Sequence, residues 1–363
     1  MNVYIRVDAS FEIGTGHVMR CLTLAELLKE HGAAQITFIC RKHEGNLCDY
    51  IKGKGFPVIV LPRKEAHHFR GHVLHANWLK VSQKVDAAET ISFIKDKCVD
   101  LLVIDHYAID IEWEKELIPY VERIMVIDDL ADRKHKCHYL LDQNFYENMD
   151  TRYKTLVPDN CEKFLGPEFA ILRKEFLDRK GCLRNRDGQI RRILIFFGGI
   201  DPSNETLKAI YAIKALSRKD IMVDVVVGSN NENKEHLKTI CNKSKNITFH
   251  LQVNNMAELM NQADLCIGAG GTTTWERCVM GLPTILISIA KNQELIASTL
   301  SKHKIICYLG PKEQVTEKCI TSTLQSLLDN PQQLKLMERL SKDLLKIEKD
   351  KLHSLIHAIC ERK

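Results

Sequence analysis

Two short stretches carry residues whose types and spacing could do chemistry. The first is Ile13-Gly14-Thr15-Gly16-His17, a glycine loop that ends in an imidazole. A helical run starts at His17, so its ring stands at a helix N-terminus, where the dipole disfavours positive charge. A histidine there suits the neutral form that a general base requires, taking the proton from an attacking water. It could equally cap the helix or bind a phosphate, and the residues alone leave these roles open. Asp8, at the end of the preceding strand, is a candidate to orient that imidazole. The plainer alternative is a strand-end aspartate in a turn. Arg20 follows His17 by three residues and shares its helix face. It either binds an anionic ligand or pairs with a carboxylate.

The second stretch runs from Gly268 through Gly270, Gly271 and Thr272 to Glu276. It follows the apolar run Leu265-Cys266-Ile267 and leads into a helical run ending at Gly281-Leu282-Pro283. Strand, glycine turn and helix start present bare backbone N–H groups to a phosphate. Glycine permits close approach and positive φ. The stretch reads as a diphosphate cradle, although an ordinary βα turn also favours glycine. Asn255 offers an amide that both donates and accepts, for a phosphate or another polar group of a ligand, or simply caps the helix that starts at Met256. Asp105, Asp128, Asp129 and Asp142 end strand-like runs, where they contact amide or hydroxyl groups of a ligand or merely start solvated loops.

The elements that position these residues form two series of alternating strands and helices. Val3–Val7, Gln35–Cys40, Phe56–Leu61, Asp100–Ile104 and Arg123–Ile127 read as strands with helical runs between them, and Tyr139–Asn144 as a short last piece. The rhythm breaks over 145–190 and restarts at Ile193–Phe197. The expected division is therefore 1–187, a Rossmann-like domain with the first glycine loop, and 188–363, a second one with the cradle and C-terminal helices. The class is α/β, with two doubly wound parallel sheets facing across a cleft and ligands at the strand C-termini. The segment 63–83, with four histidines, reads as a loop or insertion.

Composition narrows the function. The chain has 363 residues, 45% of them hydrophobic and 27% charged, and a net charge of +5. These are the proportions of a globular protein with full cores. No basic stripe with aromatics marks a nucleic-acid partner. No apolar run reaches the ~20 residues of a membrane span, and the N-terminus is too polar for a signal peptide. Thirteen cysteines are scattered without a CxxC pair, as in a reducing cytoplasm. His135, Cys137 and His138 lack the paired spacing of a zinc site. No metal or cofactor is called for, because the cradle can neutralise a diphosphate by itself.

The run Arg6-Val7-Asp8-Ala9-Ser10-Phe11-Glu12-Ile13-Gly14-Thr15-Gly16-His17-Val18-Met19-Arg20 carries a resemblance, which continues at Val103–Tyr107, Val126–Arg133, Leu141–Asn144, Leu172–Phe176, Phe197–Pro202, Val253–Met260 and Gly268–Glu276. Together these motifs resemble the UDP-2,4-diacetamido-2,4,6-trideoxy-β-L-altropyranose hydrolases of bacterial pseudaminic acid biosynthesis. The last motif is shared with the wider group of GT-B glycosyltransferases, the MurG type included. The resemblance implies a GT-B fold and metal-independent, inverting cleavage of the anomeric C–O bond of a UDP-activated diacetamido sugar. It makes His17 the catalytic base, with Gly14 and Gly16 at the substrate. Arg173 reaches the sugar or diphosphate, and Glu276 accepts the ribose hydroxyls. A MurG-like UDP-sugar transferase is the alternative. A cytoplasmic monomer is expected.

Overall fold

The computed structural model describes residues 1–33, 35–64, 71–179, 181–345 and 349–360. His67 and His68 of the histidine-rich segment lie outside them. The chain divides into two compact units, Met1–Ile171 with Ile347–Lys363, and Leu172–Lys346.

The first unit is a seven-stranded sheet built from β1 (Asn2–Val7), α1 (Gly16–Glu30), β2 (Gln35–Arg41), α2 (Cys48–Gly53), β3 (Val58–Leu61), α3 (Gln83–Ile94), β4 (Leu101–Asp105), α4 (Ile111–Leu117), β5 (Ile124–Ile127), β6 (Tyr139–Asp142), α5 (Met149–Arg152) and β7 (Glu162–Leu165). Every pairing is parallel, in the order β3-β2-β1-β4-β5-β6-β7. Strands covered on both faces need unbroken apolar runs, and β4 and β5 are buried along their whole length. The order reverses between β1 and β4, so their C-terminal ends form the switch point where such sheets bind ligands. Val7 pairs with Asp105 there, and the chain leaving β1 arrives at α1 beside the end of β4.

The second unit continues with α6 (Lys174–Arg179), β8 (Arg192–Phe196), α7 (Glu205–Ala215), β9 (Met222–Val227), α8 (Lys234–Asn242), β10 (Ile247–Leu251), α9 (Met256–Gln262), β11 (Leu265–Ala269), α10 (Thr273–Val279), β12 (Thr284–Ser288), α11 (Glu294–Lys302), β13 (Cys307–Pro311), α12 (Glu317–Leu328) and α13 (Pro331–Leu344). Its six strands are parallel in the order β10-β9-β8-β11-β12-β13. The switch point lies between β8 and β11. Arg186 ties this unit together from its near end. Its buried guanidinium donates to the carbonyls of Met260 and Ala263 at the end of α9 and of Met280 and Gly281 at the end of α10. These are the orphan acceptors that a helix C-terminus leaves.

The α/β class and the two Rossmann-like sheets are as expected, but the division differs from 187/188 at two places. The first unit ends at Ile171, so residues 172–187, expected in the first domain, belong to the second, although β7 adds a strand beyond the short piece read as the last. Two of its four residues, Glu162 and Lys163, are exposed, as suits an edge strand, and this charge hid it in the sequence. The C-terminal α14 (Lys349–Cys360) also belongs to the first unit. It buries Leu352, Leu355, Ile356 and Ile359, one stripe at helical spacing.

Candidate active site

The first glycine loop is shaped by Ser10. Its carbonyl accepts the N–H of Gly14 at 2.8 Å, and its hydroxyl accepts from Glu12 and Ile13. Gly14 has φ +83°, a conformation that side-chain-bearing residues rarely adopt. The loop ends at Gly16, and His17 lies in the first turn of α1. Its Nδ1 stands 2.6 Å from Asp105 Oδ1. The same carboxylate receives Arg20 Nε at 2.9 Å and Nη2 at 2.7 Å. Burial would raise the Asp105 carboxyl, but the charge of Arg20 and the hydrogen bonds from His17 and Arg20 outweigh it and hold Asp105 well below the usual carboxylate range. An ionised carboxylate only accepts, so Nδ1 carries the hydrogen and Nε2 presents the lone pair in the neutral ring. Nε2 makes no hydrogen bond among the described residues.

Arg20 also reaches Asp129 Oδ2 at 3.4 Å, and Asp129 accepts from the Tyr107 hydroxyl. The Tyr107 ring meets His17 edge-on, centroids 4.6 Å apart. His17, Asp105, Arg20, Asp129 and Tyr107 thus form one closed circuit. Trp78 stacks on Tyr107 and stands edge-on to His17 at 6.0 Å, and His75 packs on Trp78. These two rings come from the segment read as an irregular loop. Nothing in its sequence marked them beyond being aromatic in a polar stretch. Of its other histidines, His72 pairs with Asp110 at 2.5 Å.

One expectation needs correction. Asp8 does not orient His17. It is buried against Arg6, whose Nη1 and Nη2 donate to it at 2.6 and 2.9 Å, and it accepts the N–H of Arg41 at 2.6 Å. Its neighbours are His43 and His106. In a strand, residues 6 and 8 share a face, so Asp8 follows Arg6 into the sheet. Of the two roles left open for Arg20, pairing with a carboxylate is the one seen, because Asp105 and Asp129 take its donors.

The remaining rim aspartates form a second cluster. The Tyr153 hydroxyl lies 3.1 Å from both Asp128 Oδ2 and Asp142 Oδ2. It owns one proton, so it can donate to only one of them. Asp128 is held down to about 2, burial being outweighed chiefly by the charge of Arg133. Asp142 is pushed up to about 8 by burial and by Asp129. Asp142 therefore brings the second proton. His135, Cys137 and His138 turn to separate partners: His135 to Glu114, Cys137 to Cys161, and His138 to the N–H of Ile124. Among the described residues no group of three or more His, Cys, Asp or Glu side chains is placed to hold a metal ion.

In the second unit the cradle is a turn of bare backbone. Gly268 lies opposite Phe196 across the switch point, and a Cβ there would come 2.3 Å from the Phe196 carbonyl oxygen. Gly270 backs onto Gln293, and Gly271 has φ +101° with open space around it. The N–H groups of Gly271, Thr272 and Thr273 make no hydrogen bond among the described residues. Thr272 stands at the cap of α10 without using its hydroxyl as a cap. Glu276 is buried, and Arg173 grips it through Nε at 2.7 Å and Nη2 at 3.1 Å. Arg173 also pairs with Glu175, whose other oxygen accepts the N–H of Ala257 in the first turn of α9. Asn255 occupies the cap position of α9 but leaves the capping to Glu175. It is exposed, and its amide donates to Glu258.

The two switch-point sheets are of the GT-B class, and residues 192–354 match the glycosyltransferase family 28 C-terminal domain. The MurG crystal structure of Acinetobacter baumannii has a TM-score of 0.63 over 99% of each chain, at 14% identity. The resemblance drawn from the motifs is borne out. The chain is 29% identical over 303 residues to the UDP-2,4-diacetamido-2,4,6-trideoxy-β-L-altropyranose hydrolase of Campylobacter jejuni, covering 83% of this chain and 97% of that one. It is 28% identical over 299 residues to an uncharacterized protein of Methanocaldococcus jannaschii, covering 79% of this chain. The chain spans 55%, about half, of that relative's length. No helix among the described residues is long and apolar enough to cross a membrane.

Proposed function

We propose that this protein is a UDP-sugar hydrolase acting on UDP-2,4-diacetamido-2,4,6-trideoxy-β-L-altropyranose, in the synthesis of pseudaminic acid. The observation that carries the reading is the 2.6 Å contact of His17 Nδ1 with Asp105 Oδ1, which leaves Nε2 as a proton acceptor. His17 Nε2 takes a proton from water, and the water oxygen attacks the anomeric carbon from the face opposite the leaving group. The C–O bond to the diphosphate breaks with inversion, releasing UDP and the free sugar. Asp105 stabilises the imidazolium that forms. Gly270, Gly271 and Thr272 receive the diphosphate through backbone N–H groups, and Glu276, held by Arg173, faces the ribose. Gly14 and Gly16 shape the loop that delivers His17. The likeness to the Campylobacter jejuni hydrolase supports the substrate. The reaction is taken to need no metal, since the backbone turn can neutralise the diphosphate, and the protein to work as a cytoplasmic monomer.

The match of residues 192–354 to a glycosyltransferase domain supports a second reading, transfer of the sugar to an acceptor other than water. One experiment separates them. The protein is incubated with the UDP-diacetamido sugar in ¹⁸O water, without acceptor. Stoichiometric UDP release with the label on the sugar is the expected result. Label on UDP would mean P–O cleavage, and no turnover until an acceptor is added would favour the transferase. His17→Ala is expected to lose turnover and keep UDP affinity.

A further inference from the structure

Asp8 stands away from His17, but it is not idle near it. It faces His106, the residue between the two that hold His17. His106 is buried, and its Nδ1 accepts the N–H of Ala108 at 3.1 Å. The hydrogen of the neutral ring is therefore on Nε2. That nitrogen stands 3.2 Å from Asp8 Oδ2, an ionic contact outside hydrogen-bond geometry, so Asp8 holds the ring by charge and proximity. Burial draws His106 below the usual histidine range, against the opposing pull of Asp8, which keeps the ring in that neutral form.

Asp8 is a stiff anchor. Arg6 holds it by both terminal nitrogens and is itself held by Asp86 on α3, through Nε at 3.1 Å and Nη2 at 2.8 Å. Asp86 also takes Arg41 at 2.6 Å and the Trp113 indole N–H at 3.0 Å. His43 Nε2 completes the surroundings of Asp8 at 3.3 Å. All of these side chains are buried, and such a network is costly to loosen because each charge depends on the next. The turn that His106 grips carries Asp105, against His17 Nδ1, and Tyr107, against the His17 ring edge.

We infer that His106, anchored by Asp8, is a positioning residue for His17 that acts through the turn Asp105 to Ala108. It rests on the reading of His17 as the base. Without His106 the turn loses both its backbone tie and its anchor. Asp105 then no longer dictates which His17 nitrogen carries the hydrogen. The nucleotide turn lies in the other unit and is unaffected.

The test uses the full chain as His106→Ala and His106→Gln. Long-range ¹H–¹⁵N spectra of the histidine rings, with His17 assigned from His17→Gln, read its tautomer without any substrate. The wild type is expected to show a single form with hydrogen on Nδ1, and His106→Ala a mixture. In UDP release from the diacetamido sugar nucleotide, His106→Ala is expected to lower kcat about 100-fold, with KM and the Kd for UDP within about twofold. Glutamine offers an acceptor to Ala108 and a donor to Asp8, so His106→Gln recovers to within about fivefold. An unchanged His17 tautomer and kcat in His106→Ala would overturn the inference. So would equal losses in both variants that track a fall in folded protein. If the wild type releases no UDP, the hydrolase reading fails on its own, and the tautomer comparison still decides the role of His106.

Discussion

The two candidate sites occupy matching points, the switch point of each sheet, but they are made of different material. In the second unit the site is backbone. Its glycines, its turn and the start of α10 are contiguous, and the close approach of Gly268 to Phe196 needs only the absence of a side chain. In the first unit the site is a circuit of side chains from α1, the end of β4, the end of β5 and the segment around Trp78. A backbone site can bind a charge that is always present on its ligand. A side-chain circuit can hold a proton on a chosen atom. The division of labour proposed above, nucleotide in one unit and proton transfer in the other, follows from that difference.

The sharpest way to break the comparison is to damage each site and ask which step fails. Asp105→Asn keeps the shape but offers a donor to His17 Nδ1, so the wrong tautomer is favoured. UDP release is expected to fall about 10³- to 10⁴-fold with UDP affinity unchanged. A loss below tenfold would remove Asp105 from the mechanism. Gly271→Val is the converse. Its φ of +101° suits no β-branched residue, although the space is open. UDP affinity, read by calorimetry, is expected to weaken about tenfold while the His17 tautomer stays as in the wild type. Unaltered affinity would show that the turn does not carry the diphosphate. Arg173→Ala leaves Glu276 without its cation, and UDP affinity is expected to fall about fivefold. A gain in affinity would mean that Arg173 blocks the carboxylate rather than presenting it.

The smallest effect sharpens the contrast through pH. Asp142 in the folded chain holds its proton up to about pH 8, whereas an unfolded aspartate releases it near pH ~3.9. Its folded value is raised, so the stability it contributes is complete at low pH and is lost as pH rises through the folded value. The amide introduced by Asp142→Asn needs no proton, since it donates to the Tyr153 hydroxyl and accepts the N–H of Asn144 as the neutral acid does. Asp142→Asn is expected to melt with the wild type at pH 4 and above it at pH 8.5. An equal offset at both pH values would refute a buried proton at this site.

Much of the fold was legible because its signals are local. Among the described residues, the strands other than β7 and most of the helices carry apolar runs or stripes, and most of the apolar runs read as strands meet the observed ones within one or two residues. β7 was not legible, since a charged edge strand looks like a loop. The destination of α14 was not legible either, because an amphipathic stripe says that a helix packs, not on what. The cradle was read in full as a turn, but not the bond between Glu276 and Arg173, which are distant in sequence.

His17 shows where the line falls. The amino-acid sequence determined that an imidazole follows a glycine loop and opens a helix, because capping and turn chemistry act over a few residues. It also determined that carboxylates end several strands. Which carboxylate meets the ring was decided only by the tertiary structure. β1 pairs with β4, and that places Asp105, 88 residues away, against Nδ1, while strand alternation sends the nearby Asp8 into the sheet beside Arg6. Strand order is set by the packing of whole layers, and no short stretch of chain contains it.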